Sequence, residues 1–419
     1  MSDVVSAVPA RPEPPTSTRR RQPPATVTRQ AGPVQAALLL VTSCLVVLGA
    51  VLIAPVQPRI AAAFAGQPGV DLLVPITLTM PALMIALMAP FAGRLIDSMG
   101  RIRIFTITLV LYAVFGTAPL WLDSLPLIVA SRAGVGIAEA AIITCSTTLL
   151  ADYWTGVKRN RILGLQVVAT SVSAVLFIGI GGALGATSWR APFAVYGISL
   201  VLAVLVPLVL WQPPELPRRA ASDLPPVDWR QLAIPCAVTF FGGITFYVPI
   251  AELSFRLDGI GVTDTAIIGG ISAIAAVATA IGAIVFGRVA PRGPATLLPI
   301  AFGLAGVGIV VLGAFDTVPM IMVGAVIASA GCGLLLPTLL TWALSTLNGE
   351  QRGRGTGLWN GCLFIGQFIC PIVVLAIGGV TGGMGPALVI IGVLSIVLAV
   401  AARPLARRSA ARAHADLGH

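Results

Sequence analysis

The sequence predicts an all-α polytopic membrane protein: twelve transmembrane helices forming two six-helix bundles, with both termini cytoplasmic. Three observations carry that reading. The 419-residue chain is 57% hydrophobic and only 10% charged, whereas about a quarter of a soluble globule is charged. Its apolar runs last about twenty residues, long enough to cross a bilayer as a helix. Its basic residues sit between those runs, and they divide unequally between alternate turns.

Residues 1–32, rich in Pro, Ser, Thr and Arg, cannot build a core and read as a disordered cytoplasmic tail. Some thirty polar residues precede the first apolar run, which is therefore expected to be a retained helix and not a cleaved signal. Spans are expected at about 34–56, 72–92, 104–122, 125–151, 162–187 and 192–211. After them come about 232–252, 266–287, 296–314, 318–343, 356–379 and 385–402. The first six make an N-terminal bundle over 33–211, the last six a C-terminal bundle over 232–402. Residues 212–231, proline-rich and charged, read as a cytoplasmic linker, and 403–419 as a basic cytoplasmic tail.

Charge tests the count. With both ends inside, the inner segments hold 22 of the 26 Lys and Arg residues. The outer loops hold only Arg59, Arg190 and Arg256, and Arg132 lies within a span. Losing one span would destroy this asymmetry, which follows the tendency of basic residues to stay on the cytoplasmic side. The net charge of +10 is therefore a topology signal. Nucleic acid is not an expected partner, because the arginines are dispersed and no aromatic platform accompanies them.

The halves resemble each other. Gly93-Arg94 recurs as Gly287-Arg288, 194 residues on, and Arg159-x-Arg161-x-x-Gly164 recurs as Arg352-x-Arg354-x-x-Gly357, 193 residues on. Two loops repeating at nearly one offset point to a duplicated six-helix unit, which places a site between the halves near the midplane.

The turn after the second span reads Gly93-Arg94-Leu95-Ile96-Asp97-Ser98-Met99-Gly100-Arg101-Ile102-Arg103. Gly93, Asp97, Gly100, Arg101 and Arg103 match the Gly-x-x-x-Asp-x-x-Gly-Arg-x-Arg pattern of the major facilitator superfamily position for position. Arg132-x-x-x-Gly136 in the fourth span resembles that family's second motif. Asp152 with Arg159, Arg161 and Gly164 is similar to its loop after that span, and Trp189-Arg190 to the start of its sixth helix. Together they resemble the superfamily from about 34 to 402, most closely its twelve-helix drug and metabolite exporters that run on proton antiport. That group often carries Gly-Pro-x-x-Gly-Gly in the fifth span. Here Gly181-Gly182 is kept, but Phe177-Ile178 replaces Gly-Pro.

The resemblance implies that Asp97, with Gly93, Gly100, Arg101 and Arg103, latches the halves together when the cytoplasmic side is closed. A solvated turn with topology arginines is the plainer alternative. Arg132 and Glu139 are opposite charges seven residues apart on one helix face, too distant for a direct pair. Charges within a membrane are costly and face a cavity or the bundle interior. Glu139 is thus a candidate proton-titrating or cation-attracting group modulated by Arg132, or a group that satisfies polar neighbours in a packed bundle. Asn360 and Gln367 form a similar pair on the eleventh span, able to bind substrate or to hold helices together. Gln166 is a further cavity candidate. Glu252 and Arg256, at i,i+4 spacing, are expected to form a local ion pair. Gly179, Gly181, Gly182 and Gly185 read as small residues for close helix packing.

The expected function is secondary active transport by alternating access, with proton-coupled export of a small, largely apolar or weakly cationic compound preferred. Uptake or facilitated diffusion of a small metabolite is the alternative, and a transport-dead receptor the rival from another class. An enzyme is not expected: the only histidines, His414 and His419, lie in the tail, and no Gly-x-x-x-x-Gly-Lys-Ser/Thr motif occurs. No cofactor and no metal are expected, since the six cysteines lie in apolar runs without ligand spacing. The expected partners are a small-molecule substrate, protons and the lipid bilayer, and the expected state is a monomer. Arginine outnumbers lysine 25 to 1, which suits a high-GC genome and a bacterial inner membrane.

Overall fold

A computed structural model describes residues 31–212, 229–347 and 351–416. The chain enters the first span at Pro33, where proline suits a helix start because its missing N–H has no partner there anyway. Helix α1 (Pro33–Val51) continues through a 3-10 turn into the short α2 (Gln57–Ala63). Then follow α3 (Val70–Met99), α4 (Arg101–Thr117), α5 (Leu125–Tyr153), α6 (Gly156–Thr187) and α7 (Ile198–Val209). The second half comprises α8 (Trp229–Ala251), the short α9 (Leu253–Gly259), α10 (Thr265–Val289), α11 (Pro294–Ala314), α12 (Val318–Ser345), α13 (Arg352–Thr381) and α14 (Met384–Asp416).

Twelve of these stretches, among the described residues, are long and apolar enough to cross a membrane. Helices are what such segments must form, because in hydrocarbon every backbone N–H and C=O needs a partner within the segment. The observed spans follow the expected ones closely. They differ mainly by running on past the apolar window: α3 reaches Met99 and α14 reaches Asp416. The expected tail over 1–32 and linker over 212–231 fall almost wholly outside the described residues.

Turns between spans use the residues that such geometry demands. Gly100 sits at φ 85°, a left-handed conformation that a side chain would oppose, and it turns α3 into α4 within one residue. At the opposite face the Asp264 side chain accepts from the Ala266 amide at 2.8 Å and caps α10.

An even number of spans puts both chain ends on one side, here termed the terminal face; the other is the distal face. Within each half the helices approach through small residues. A Cβ on Gly306 would lie 2.7 Å from the Gly392 carbonyl, closing α11 on α14, and one on Gly324 would lie 2.5 Å from the Leu312 amide, closing α11 on α12.

The two halves meet chiefly toward the distal face. There Gly182 of α6 crosses Gly269 of α10 so closely that a Cβ on either would stand 2.7 Å from the Cα of the other. Gly181 and Gly185 likewise abut Leu52 and Val56 of the first span, whereas Gly179 faces open space. Toward the terminal face the glycines of α6 and α13 make no such crossing. Gly164 on α6 and Gly357 and Gly361 on α13 have nothing within 4 Å of where a Cβ would be.

Candidate functional site

Between the halves lies a cavity of 540 Å³. From the first half it is walled by α1 (Val46, Val47, Ala50, Val51) and α6 (Val167, Thr170, Ser171, Ala174). From the second half come Phe246, Tyr247 and Ile250 of α8, Ser272 and Thr279 of α10, Ser329 and Pro337 of α12, and Phe364 and Gln367 of α13. No Asp, Glu, Lys, Arg or His is among the lining residues. The polar atoms are a few hydroxyls, one amide and the Cys332 thiol, so the surface suits an apolar body with few polar points.

Of the residues expected at the cavity, Gln367 lines it, buried at 7% exposure. Asn360, two turns closer to the terminal face, is half-buried and outside the lining. Gln166 donates to the Ser43 hydroxyl at 2.8 Å and so ties α6 to α1 instead of facing the cavity.

Arg132 and Glu139 sit behind α1, each with 0% exposure. Residues 46, 47, 50 and 51 of α1 face the cavity, and Gly49 faces the other way. The Arg132 guanidinium donates to the Gly49 carbonyl at 3.0 Å and to the Thr77 carbonyl at 3.1 Å, and lies 5.0 Å over the Tyr196 ring. The Glu139 carboxyl fills the space where a Cβ on Gly49 would be. The two charges therefore bracket one residue of α1 from behind the cavity wall. Around Glu139 and Arg132 stand the Tyr112 and Tyr196 side chains as neighbours, and Gln57 Oε1 has no hydrogen-bond partner among the described residues. A buried cluster of two opposite charges and two phenols is unusual within a membrane span, where charge is costly.

Sequence reasoning missed the tyrosines around this cluster. The Tyr112 hydroxyl donates to the Leu45 carbonyl at 2.6 Å, and its ring stands 5.2 Å from that of Tyr196. Tyr247, across the cavity in the second half, donates to the Ala50 carbonyl at 2.9 Å. The signal was available, since the chain has only four tyrosines and three of them lie within spans 3, 6 and 7.

At the terminal face Arg101 is 8% exposed and forms an ion pair with Asp152 at the end of α5. Its backbone N–H donates to the Gln212 side chain at 3.0 Å. Tyr153 exchanges hydrogen bonds with the Trp211 backbone and stacks on its ring at 4.7 Å. Arg103 is exposed. Gly93 lies on α3, the Asp97 side chain lies outside the described residues, and these partners of Arg101 all belong to the first half.

One expectation needs correction. Glu252 and Arg256 do not pair with each other. Arg256 instead reaches Asp316 at 2.5 Å and the carbonyls of Leu312 (3.1 Å), Gly313 (3.4 Å) and Phe315 (3.0 Å). The end of α11 offers it two helix carbonyls, the Phe315 carbonyl just beyond and a carboxylate, together a better set of acceptors than one carboxylate a single turn away.

Among the described residues no three His, Cys, Asp or Glu side chains gather into a possible metal site. The profile of the Major Facilitator Superfamily matches residues 39–292 and 235–418. The chain belongs to the major facilitator superfamily. It is 24% identical over 334 residues to the multidrug efflux protein YfmO of Bacillus subtilis, covering 77% of this chain and 81% of that one. It is 25% identical over 301 residues to multidrug resistance protein 1 of the same species, covering 68% and 76%. Its fold matches a bacterial homologue of the human lysosomal transporter Spinster in an inward-facing, occupied conformation. That match has a TM-score of 0.71 at 18% identity, over 90% of this chain and 97% of the other. The chain is thus a multi-pass membrane transporter of this superfamily, with a central cavity of the kind that alternating access requires.

Proposed function

We propose that this superfamily member exports a small, largely apolar or weakly cationic compound in exchange for protons. The observation that carries the substrate class is the central cavity, walled by both halves and free of charged side chains. The two relatives named for multidrug efflux and multidrug resistance favour export as the direction. The proton is assigned to Glu139, which is fully buried and presses on the same helix that walls the cavity. Protonation there alters charge beside α1, and Arg132, held on the Gly49 and Thr77 carbonyls, responds to it. Asp97 with Gly93, Gly100, Arg101 and Arg103 closes the terminal face in the opposite state. On this reading the terminal face is cytoplasmic, and the membrane is a bacterial inner membrane.

The test is purified protein in liposomes with an imposed pH gradient and ethidium as the probe. Ethidium movement that dissipates the gradient is the expected result, and E139Q should uncouple the two. Ethidium flux with no effect on the gradient refutes antiport and leaves facilitated diffusion, to which the hydroxyls of Thr170, Ser171 and Ser272 would offer a neutral metabolite hydrogen bonds.

A further inference from the structure

A second cavity, of 260 Å³, opens at the distal end of the interface between the halves. Its walls are apolar, with Val74 of α3, Phe255 of α9, Leu375 of α13 and Met384 of α14 among them. Two carboxylates join them. Asp71 stands exposed in the first turn of α3, and Glu252 lines the cavity at 2% exposure.

Glu252 Oε1 has no hydrogen-bond partner among the described residues. The nearby cations are committed elsewhere. Arg256, one turn on, holds Asp316 and the end of α11. Arg59, on the α2 helix that packs against α9, donates to the Gly185 and Ala186 carbonyls at 2.7 and 3.0 Å. Asp258, on α9 itself, is another acid and offers no compensation. A carboxylate removed from water with no cation of its own is expensive, and it is relieved by a cation that arrives from outside.

We propose that this distal cavity is a second binding site, taking a small organic ammonium ion whose charge meets Glu252. The apolar walls cover the hydrocarbon part of the ligand, Phe255 presents an aromatic ring to the cation, and Asp71 draws the charge in at the mouth. The ligand class follows from the geometry: one buried acid, apolar walls and no donor suited to an anion. The site lies outside the central cavity and does not depend on the transport reading above.

The experiment measures binding of radiolabelled benzyltrimethylammonium to the full-length protein in nanodiscs, with the uncharged isostere neopentylbenzene as competitor. E252Q removes the charge. G379F keeps Glu252 and fills the cavity, since Gly379 lines it with nothing within 4 Å of where its Cβ would be. A276F, in the wall of the central cavity, is the control. The expected result is at least a tenfold loss of ammonium affinity in both E252Q and G379F, none in A276F, and no displacement by neopentylbenzene. If E252Q fails to fold, G379F decides alone. A loss of less than tenfold in G379F overturns the site, and loss in A276F alone places the ammonium in the central cavity instead.

Discussion

The hydroxyl of Tyr247 donates a hydrogen bond to the carbonyl of Ala50 at 2.9 Å, joining the seventh span to the first across the central cavity. The bond exists with the halves packed together at the distal face. Alternating access as proposed above would open the cavity there and break the bond.

Replacing Tyr247 with Phe removes this tie while keeping the ring. A single neutral hydrogen bond contributes about 1 kcal/mol net, so the distally closed state should lose roughly fivefold in population. Distances between spin labels on the distal ends of α6 and α10 would report the shift. An unchanged distribution would show the bond to be incidental.

Gly182 and Gly269 set a second limit on the same closure. A Cβ on either residue meets the backbone of the other helix, which cannot give way as a side chain would. Gly182→Val should therefore cost about 1–3 kcal/mol in the closed state, as overpacking does. Cysteine-reactive probes applied from the distal side should label the central cavity faster in this variant. Slower labelling would contradict this close crossing.

Arg132 and Glu139 both rest on Gly49, so their removal should not be additive. R132L alone leaves Glu139 buried without a nearby positive charge, a loss of several kcal/mol in comparable cases. R132L with E139Q should recover part of that loss. Thermal unfolding in detergent across the four variants gives the coupling, expected at about 1 kcal/mol or more. Strict additivity would mean that the two charges do not sense each other.

Asp97→Asn tests the latch. Transport should fall at least roughly tenfold at unchanged surface level, the size of effect a lost charge-assisted hydrogen bond of about 1.5–3 kcal/mol produces. D152N, which breaks the visible Arg101 pair, should lower the melting temperature more than it lowers transport. Equal effects of both on transport would extend the latch to Asp152.

The spans were legible in the sequence because a bilayer imposes one rule on all of them: enough apolar residues in a row, with charge excluded. That rule is local, so Pro33, Leu125, Gly156 and Pro294 begin helices within six residues of the expected starts. The site was less legible because its contacts are not local. Arg256 passed over Glu252 for Asp316, 60 positions away. Gln166 was polar in a span, as cavity residues are, but Ser43 of α1 claimed its amide. Gly49 carried no signal at all, since its importance lies in what Arg132 and Glu139 do to either side of it. Periodicity placed Arg132 and Glu139 on one face of their helix. Only the packing of α1 against that face decided that the cavity would lie on its far side.

The uncharged wall of the central cavity also bears on competition between compounds. With no fixed charge to be screened, affinity there should be nearly indifferent to ionic strength, and it should track the apolar surface a compound can hide. Chemically unrelated molecules of similar bulk then displace one another by mass action alone. Mixtures would share the transporter in proportion to concentration and size, and adding salt would leave that ranking intact.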